Sequence, residues 1–230
     1  MNGTYEPRVF DAANIAQAKR IILTAESSTT EERWTTETPY LAGLIGADLR
    51  IGPGSLVLDY GCGIGRLAKE LIARHGCRVI GVDISPSMRA LAVGYVESDR
   101  FFACPPSMLD ALAKAGFAAD AAFAVWVLQH CERPDEDIQR IRRALRPGGG
   151  LFVVNNRQRA VPMLLRRLGP TGTRTEGVWA DDGIDVRQEL ARHFALEREG
   201  LLAQESVALN LPAFTYWASF RATGAEPPPG

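Results

Sequence analysis

Three glycines, two carboxylates and a histidine are the residues of this 230-residue chain whose types and spacing suit chemistry. The segment VLDYGCGIGRLAKEL, residues 57 to 71, ends an apolar run at Asp59, passes through Gly61, Gly63 and Gly65, and opens an amphipathic helix. Glycines at such a turn permit positive φ and let a ligand approach the backbone with no Cβ in the way. Asp83 stands 22 residues after Gly61, at the end of the next apolar run, RVIGVD. A carboxylate there is placed to grip a ribose diol.

The spacing departs from that of a dinucleotide site. Counted from Gly61, a dinucleotide loop places its third glycine at position 66, where this chain has Arg66, and it would set Asp59 beside a doubly anionic pyrophosphate. A cationic ligand suits the loop better. S-adenosylmethionine has no phosphate, and its sulfonium and amino groups favour a nearby carboxylate.

The elements that must position these residues alternate. Strands are expected at 55–59, 78–83, 101–104, 121–128 and 151–154, with helices at 66–75, 85–97, 107–115 and 135–145 between them. Such alternation predicts an α/β, doubly wound, mostly parallel seven-stranded sheet, whose ligands sit beyond the carboxyl ends of the strands. Two N-terminal helices are expected before it, at 10–26 and 38–49, the second with Thr38 as N-cap and Pro39 at its first position. A helix at 186–193 and an antiparallel edge strand pair near 194–202 and 214–222 complete the sheet. The expected division is a helical cap at 1–50, a Rossmann-like core at 51–225 containing a substrate lid at 155–183, and a disordered tail at 226–230.

Residues 56–155 resemble the core of the class I S-adenosylmethionine-dependent methyltransferases. VLDYGCGIG is similar to that family's first motif, AFAVWVLQHC (122–131) to its fourth strand and following loop, and LRPGG (145–149) to its turn before strand five. The resemblance implies that Asp59 and the backbone of Gly61, Cys62, Gly63 and Gly65 hold the methionine end of the cofactor. It also implies that Asp83 binds the ribose, that Ile84 packs on adenine, and that Ala124 and Val125 belong to the cofactor wall. The family often has Gly-Asp after the third strand, where this chain reads ACPPSMLDAL (103–112), so Ser107, Met108 or a backbone group is left to contact adenine. Trp34 either folds over the cofactor or anchors its helix, Tyr40 either meets the acceptor or does the same, and Arg33 is a further candidate for the cofactor carboxylate. His130 lies where the family places a polar residue near the methyl group; it either takes a proton from the acceptor or pins its loop.

The long connection at 155–183 carries Arg157, Arg159, Arg166, Arg167 and Arg174 with no acid before Glu176. One reading is a lid that binds an acidic acceptor, with Asn156 and Arg157 as its first contacts. The other is a solvated basic face whose Val161, Met163, Leu164, Leu165 and Leu168 pack on the domain or on a second subunit in a homodimer. With 26 Lys and Arg against 27 Asp and Glu, no basic excess points to nucleic acid. No apolar stretch approaches a membrane span, and Cys62, Cys77, Cys104 and Cys131 show no metal-ligand spacing, so a cytoplasmic setting without a metal is expected. The expected activity is methyl transfer to O or N of a small acidic or sugar-type acceptor. The alternatives are carbon methylation and a non-catalytic cofactor-binding regulator.

Overall fold

Short, mostly apolar runs form the centre of a seven-stranded sheet in the computed structural model, which describes residues 3–25, 28–169, 172–203 and 214–223. Four parallel strands, β2 (Leu56–Tyr60), β3 (Arg78–Val82), β4 (Phe101–Cys104) and β5 (Ala119–Val125), alternate with helices α3 (Arg66–His75), α4 (Pro86–Val96) and α5 (Pro106–Lys114). Helix α6 (Pro134–Arg143) leads into β6 (Leu145–Asn156), also parallel to β5. The order is β4-β3-β2-β5-β6-β10-β9, with β10 (Thr215–Ala222) antiparallel to both β6 and β9 (Phe194–Gly200), so the antiparallel edge pair stands where the sequence places it. Helix α7 (Val186–Ala191) precedes β9. One core cluster joins the sheet to α6 and α7 through Ile138, Ile141 and Leu190; another joins its opposite face to α3 through Leu67 and Leu71.

The N-terminal region differs from expectation. A three-residue strand, β1 (Gly3–Tyr5), and a 3-10 turn (Pro7–Phe10) precede the short helix α1 (Ile15–Ile22). Helix α2 runs Thr30–Asp48, not from residue 38, because Thr29 and Glu32 form a reciprocal capping box. Thr29 donates its backbone N–H to the Glu32 carboxylate at 2.8 Å, and Glu32 N–H returns to Thr29 Oγ1 at 3.2 Å. Pro39 therefore stands inside the helix, and Thr38, the expected cap, instead donates its hydroxyl to the Trp34 carbonyl.

The connection after β6 is likewise structured. Strands β7 (Val161–Gly169) and β8 (Gly172–Ala180) form an antiparallel hairpin, and β1 adds to it, giving a second sheet in the order β1-β7-β8. The chain's first strand is thus hydrogen-bonded to the hairpin through the pairs Gly3–Leu165 and Tyr5–Met163. The expected tail at 226–230 lies outside the described residues. No helix among those described is long and apolar enough to cross a membrane.

Candidate active site

Parallel strands deliver their carboxyl ends to one edge of the sheet, and the residues following β2, β3 and β5 meet there around a cavity of about 290 Å³. That size is near the lower end for small-ligand sites, which favours a small molecule over a polymer. After Tyr60 the chain turns sharply, with Gly61, Gly63 and Gly65 at φ of 78°, 53° and 77°. Gly61 and Cys62 both donate their N–H groups to the Val82 carbonyl, at 2.6 and 2.9 Å, pinning the loop against β3. A Cβ on Gly61 would stand 2.2 Å from Val127 Cγ2, so this backbone has no room for a larger residue.

Asp83 closes the same corner. Its Oδ2 accepts the Gly63 N–H at 2.8 Å and its Oδ1 the Ser85 N–H at 2.9 Å. Each carboxylate oxygen keeps further lone-pair capacity, which suits a pair of vicinal hydroxyls. Burial raises the Asp83 pKa while the two backbone donors oppose it. Asp59, 4% exposed, is held well above the usual carboxylate range, first by burial and then by Asp83, against the pull of Arg66. Two carboxylates in one corner favour a cationic ligand and penalise a pyrophosphate. The glycine cradle and the Asp83 diol acceptor therefore fit S-adenosylmethionine.

Of the residues singled out in the sequence, Gly61, Gly63, Asp83, Ile84, Val125 and His130 line the cavity. Asp59, Cys62, Gly65 and Ala124 are buried and do not line it. Cys62 lies with its sulfur toward β3, where a Cβ on Gly81 would come within 2.8 Å of Sγ, so its thiol packs rather than reacts. Ser107 and the exposed Met108 do not line the cavity; the α5 residue that does is Pro106.

Five of the expected contact residues lie elsewhere in the structure. Trp34 lies outside the cavity lining: its indole donates to Tyr95 Oη at 3.1 Å, its ring meets Tyr95 edge-on, and it packs with Ile64 and Met88 beneath α1. Tyr40 accepts the Ala203 N–H at 3.0 Å and packs on the core. Asn156 is occupied by pairing with Thr215 and by donating its N–H to Gln129 Oε1 at 2.7 Å. Arg157 lies over the Tyr216 ring. Arg33 forms a buried ion pair with Glu37 at 2.7 Å, which removes it from the cofactor. Trp34→Phe is expected to cost about 0.5–1.5 kcal/mol, the worth of one hydrogen bond, lowering Tm by roughly 1–6 °C and leaving S-adenosylhomocysteine affinity unchanged within about twofold. Thermal denaturation and calorimetry on one preparation separate this anchoring role from cofactor contact, which would lower affinity.

The arginines of the 155–183 connection take separate places. Arg159, with its side chain fully buried, donates to the Cys131 carbonyl at 2.6 Å and pairs with Asp182 at 2.8 Å, so it ties the hairpin to the loop after β5. Arg166 is exposed and not part of the cavity, and the side chains of 167 and 174 fall outside the described residues. Apolar residues of β7 are covered inside the chain: Val161 is buried, and Met163 and Leu165 lie against Gly3.

Several lining residues were missed. Tyr60 immediately follows Asp59, so the motif itself could have indicated it. Its hydroxyl donates to Asp137 and accepts from Arg140 Nη1 at 3.1 Å, and burial with the nearby Asp137 charge holds it as a phenol. Tyr5 and Phe10 left no local signal, because a three-residue strand finds its place only through β7. Trp126, at φ 61°, turns the chain out of β5 and brings Val127 and His130 back over Gly61. His130 Nδ1 meets the Ala160 carbonyl at 2.6 Å, and its ring packs against Trp179 and Phe10 at centroid distances of 5.4 and 5.8 Å.

Comparison with known proteins places this geometry. Residues 58–153 match the family described as "Methyltransferase domain". The chain is 29% identical over 134 residues to an O-methyltransferase, resE, of Aspergillus sclerotiorum, covering 56% of this chain and 50% of that one. It is 36% identical over 102 residues to the N-demethylindolmycin N-methyltransferase of Streptomyces griseus, covering 43% of each. The chain therefore spans half or less of the length of these curated relatives. A geranyl diphosphate methyltransferase solved with S-adenosylmethionine shares the fold at a TM-score of 0.59, 15% identity and 96% coverage of both chains. The [4+2]-cyclase SpnF shares it at a TM-score of 0.61 and 20% identity, covering 81% of this chain and 82% of its own.

Proposed function

We propose that this chain, whose residues 58–153 match the methyltransferase domain family, is a class I S-adenosylmethionine-dependent methyltransferase that transfers a methyl group to an oxygen or nitrogen of a small-molecule acceptor. The observation that carries the proposal is the Asp83 carboxylate, held by two backbone N–H groups beside a glycine turn and facing a small cavity. S-adenosylmethionine, when bound, supplies an activated methyl carbon: the acceptor lone pair forms the new bond to it, the C–S bond pair goes to sulfur, and the acceptor gives up a proton. Asp83 orients the ribose, the buried Asp59 becomes a counter-charge to the methionine end once a cationic ligand opposes the rise in its pKa, and the turn holds both in register. Tyr5, Phe10 and Trp126 exclude water from the acceptor side. Alignment of this kind is worth up to roughly 7–11 kcal/mol in favourable cases, so no dedicated base is required.

The lining argues against an acidic acceptor. Its ionisable groups include Asp83, Glu132, Glu136 and Asp137; its basic residues among those described are His130, whose two ring nitrogens are engaged by Gln129 and Ala160, and Arg133, paired to Glu136 at 2.5 Å. An anionic acceptor would meet net repulsion there, so an amine or a neutral hydroxyl is favoured. The two curated relatives, one an O- and one an N-methyltransferase, support the same pair. The test offers amine, phenol and carboxylate derivatives of one phenyl scaffold with S-adenosylmethionine, and follows S-adenosylhomocysteine and product mass. Turnover of the amine or phenol is expected; preference for the carboxylate contradicts the acceptor class, and cofactor binding without any product contradicts catalysis.

A further inference from the structure

The hydrogen bonds around His130 fix its protonation state. The Asn156 backbone N–H, which can only donate, points at Gln129 Oε1 at 2.7 Å, and this sets the orientation of the Gln129 amide. Its NH₂ group therefore faces His130 Nε2, 3.2 Å away, and donates to it. On the other side of the ring the Ala160 carbonyl, which can only accept, stands 2.6 Å from Nδ1. The imidazole is thus the neutral tautomer with hydrogen on Nδ1, and both nitrogens are engaged by the protein. A second proton would go to Nε2 and set two donors face to face.

The same residues connect the loop after β5 to the hairpin. Ala160 N–H donates to the Gln129 carbonyl at 2.9 Å, Ala160 immediately precedes β7, and β7 carries β1. Tyr5 at the end of β1 and Phe10 just beyond it both line the cavity, and Trp179 of β8 packs on Phe10 and on His130. We propose that His130 is a positioning residue that pins the β1-β7-β8 roof over the acceptor chamber in its neutral form, and that its protonation releases the roof. Only the consequence for turnover rests on the methyl-transfer reading; the pin itself does not.

The surroundings set the sign of the pH dependence. Phe10 and Trp179 present aromatic rings, the ring's own loop presents Gln129, Glu132 and Arg133, α6 presents Glu136 and Asp137 toward the cavity, and the β6–β7 connection presents Arg159, held by Asp182. Burial and the Arg159 charge lower the His130 pKa, although the Ala160 carbonyl opposes them. An open ring takes up its proton near the ordinary value of about 6.5, so acidification below that value favours the open roof.

Amide hydrogen exchange across the described hairpin residues, 161–166 and 175–180, tests this on the full chain with S-adenosylhomocysteine present and absent. After correction for intrinsic rates, lowering the pH from 7.5 to 5.5 is expected to speed exchange there by about tenfold in the wild type. His130→Asn, whose amide mimics the Nδ1–H donor and cannot be protonated, should stay protected at both pH values; His130→Phe should be unprotected at both. A pH-independent hairpin in the wild type overturns the pin; a His130→Asn variant with a protected hairpin that loses turnover at every pH overturns the purely positioning role and makes His130 a base. Absent S-adenosylhomocysteine binding would refute the methyl-transfer reading while leaving the exchange result decisive for the pin.

Discussion

Gly61→Ala is expected to lose about 2–5 kcal/mol of stability and with it the cofactor site. An alanine at φ 78° costs about 1–2 kcal/mol in backbone strain. Its Cβ would also stand 2.2, 2.6 and 2.9 Å from Val127 Cγ2, Cγ1 and Cβ. Val127 is β-branched and has no rotamer that withdraws all three atoms, so the turn must shift at an overpacking cost of about 1–3 kcal/mol. For a chain of this size the sum corresponds to a Tm lower by roughly 4–20 °C. Gly63→Ala is the internal control. Its nearest atom is Ile22 Cδ1 at 2.7 Å, the far end of a flexible side chain, so beyond the shared φ penalty the loss should be smaller. Thermal denaturation of the two variants measures the difference, and equal losses would place the constraint in φ alone.

Asp83→Ala is expected to weaken S-adenosylhomocysteine binding by about 10- to 150-fold, the range for losing one hydrogen bond to a charged group. The variant also removes the acceptor for the Gly63 and Ser85 N–H groups, so the turn loses its register with α4. Asp83→Asn, which keeps one acceptor oxygen and no charge, should fall between. The sign for pH follows from the raised pKa values of Asp59 and Asp83. Their protonation relieves burial and repulsion, so the ligand-free fold gains stability on acidification. Affinity for a cationic ligand falls over the same interval, beginning above the ordinary carboxylate range.

The parallel core was legible because its signals are local. Strand-turn-helix with glycines at 61, 63 and 65 and an acid at 83 specifies both the elements and the corner they build. The edge pair β9-β10 was legible as two candidate strands beyond the last helix. The N-terminal half of the roof was not. Strand β1 is three residues long, too short for periodicity, and exists because β7 offers it an edge about 160 positions later. The arginine-rich connection reads as a basic surface in sequence because nothing there shows that Arg159 will spend its guanidinium on the Cys131 carbonyl and Asp182. Thr38-Pro39 is a genuine helix-start pattern, overridden by the stronger reciprocal pair Thr29 and Glu32 nine residues earlier. Trp34 and Tyr40 could be placed on the N-terminal segment, but which wall they face depends on how α2 docks.

The cofactor is the central claim, and calorimetric titration of the wild-type chain tests it most directly. S-adenosylmethionine and S-adenosylhomocysteine are predicted to bind, NAD to give no measurable heat, and Asp83→Ala to lose most of the affinity for both adenosyl ligands. Binding of NAD in preference to them, or equal affinity in the wild type and the Asp83 variant, would contradict the assignment of the glycine turn and Asp83 to S-adenosylmethionine.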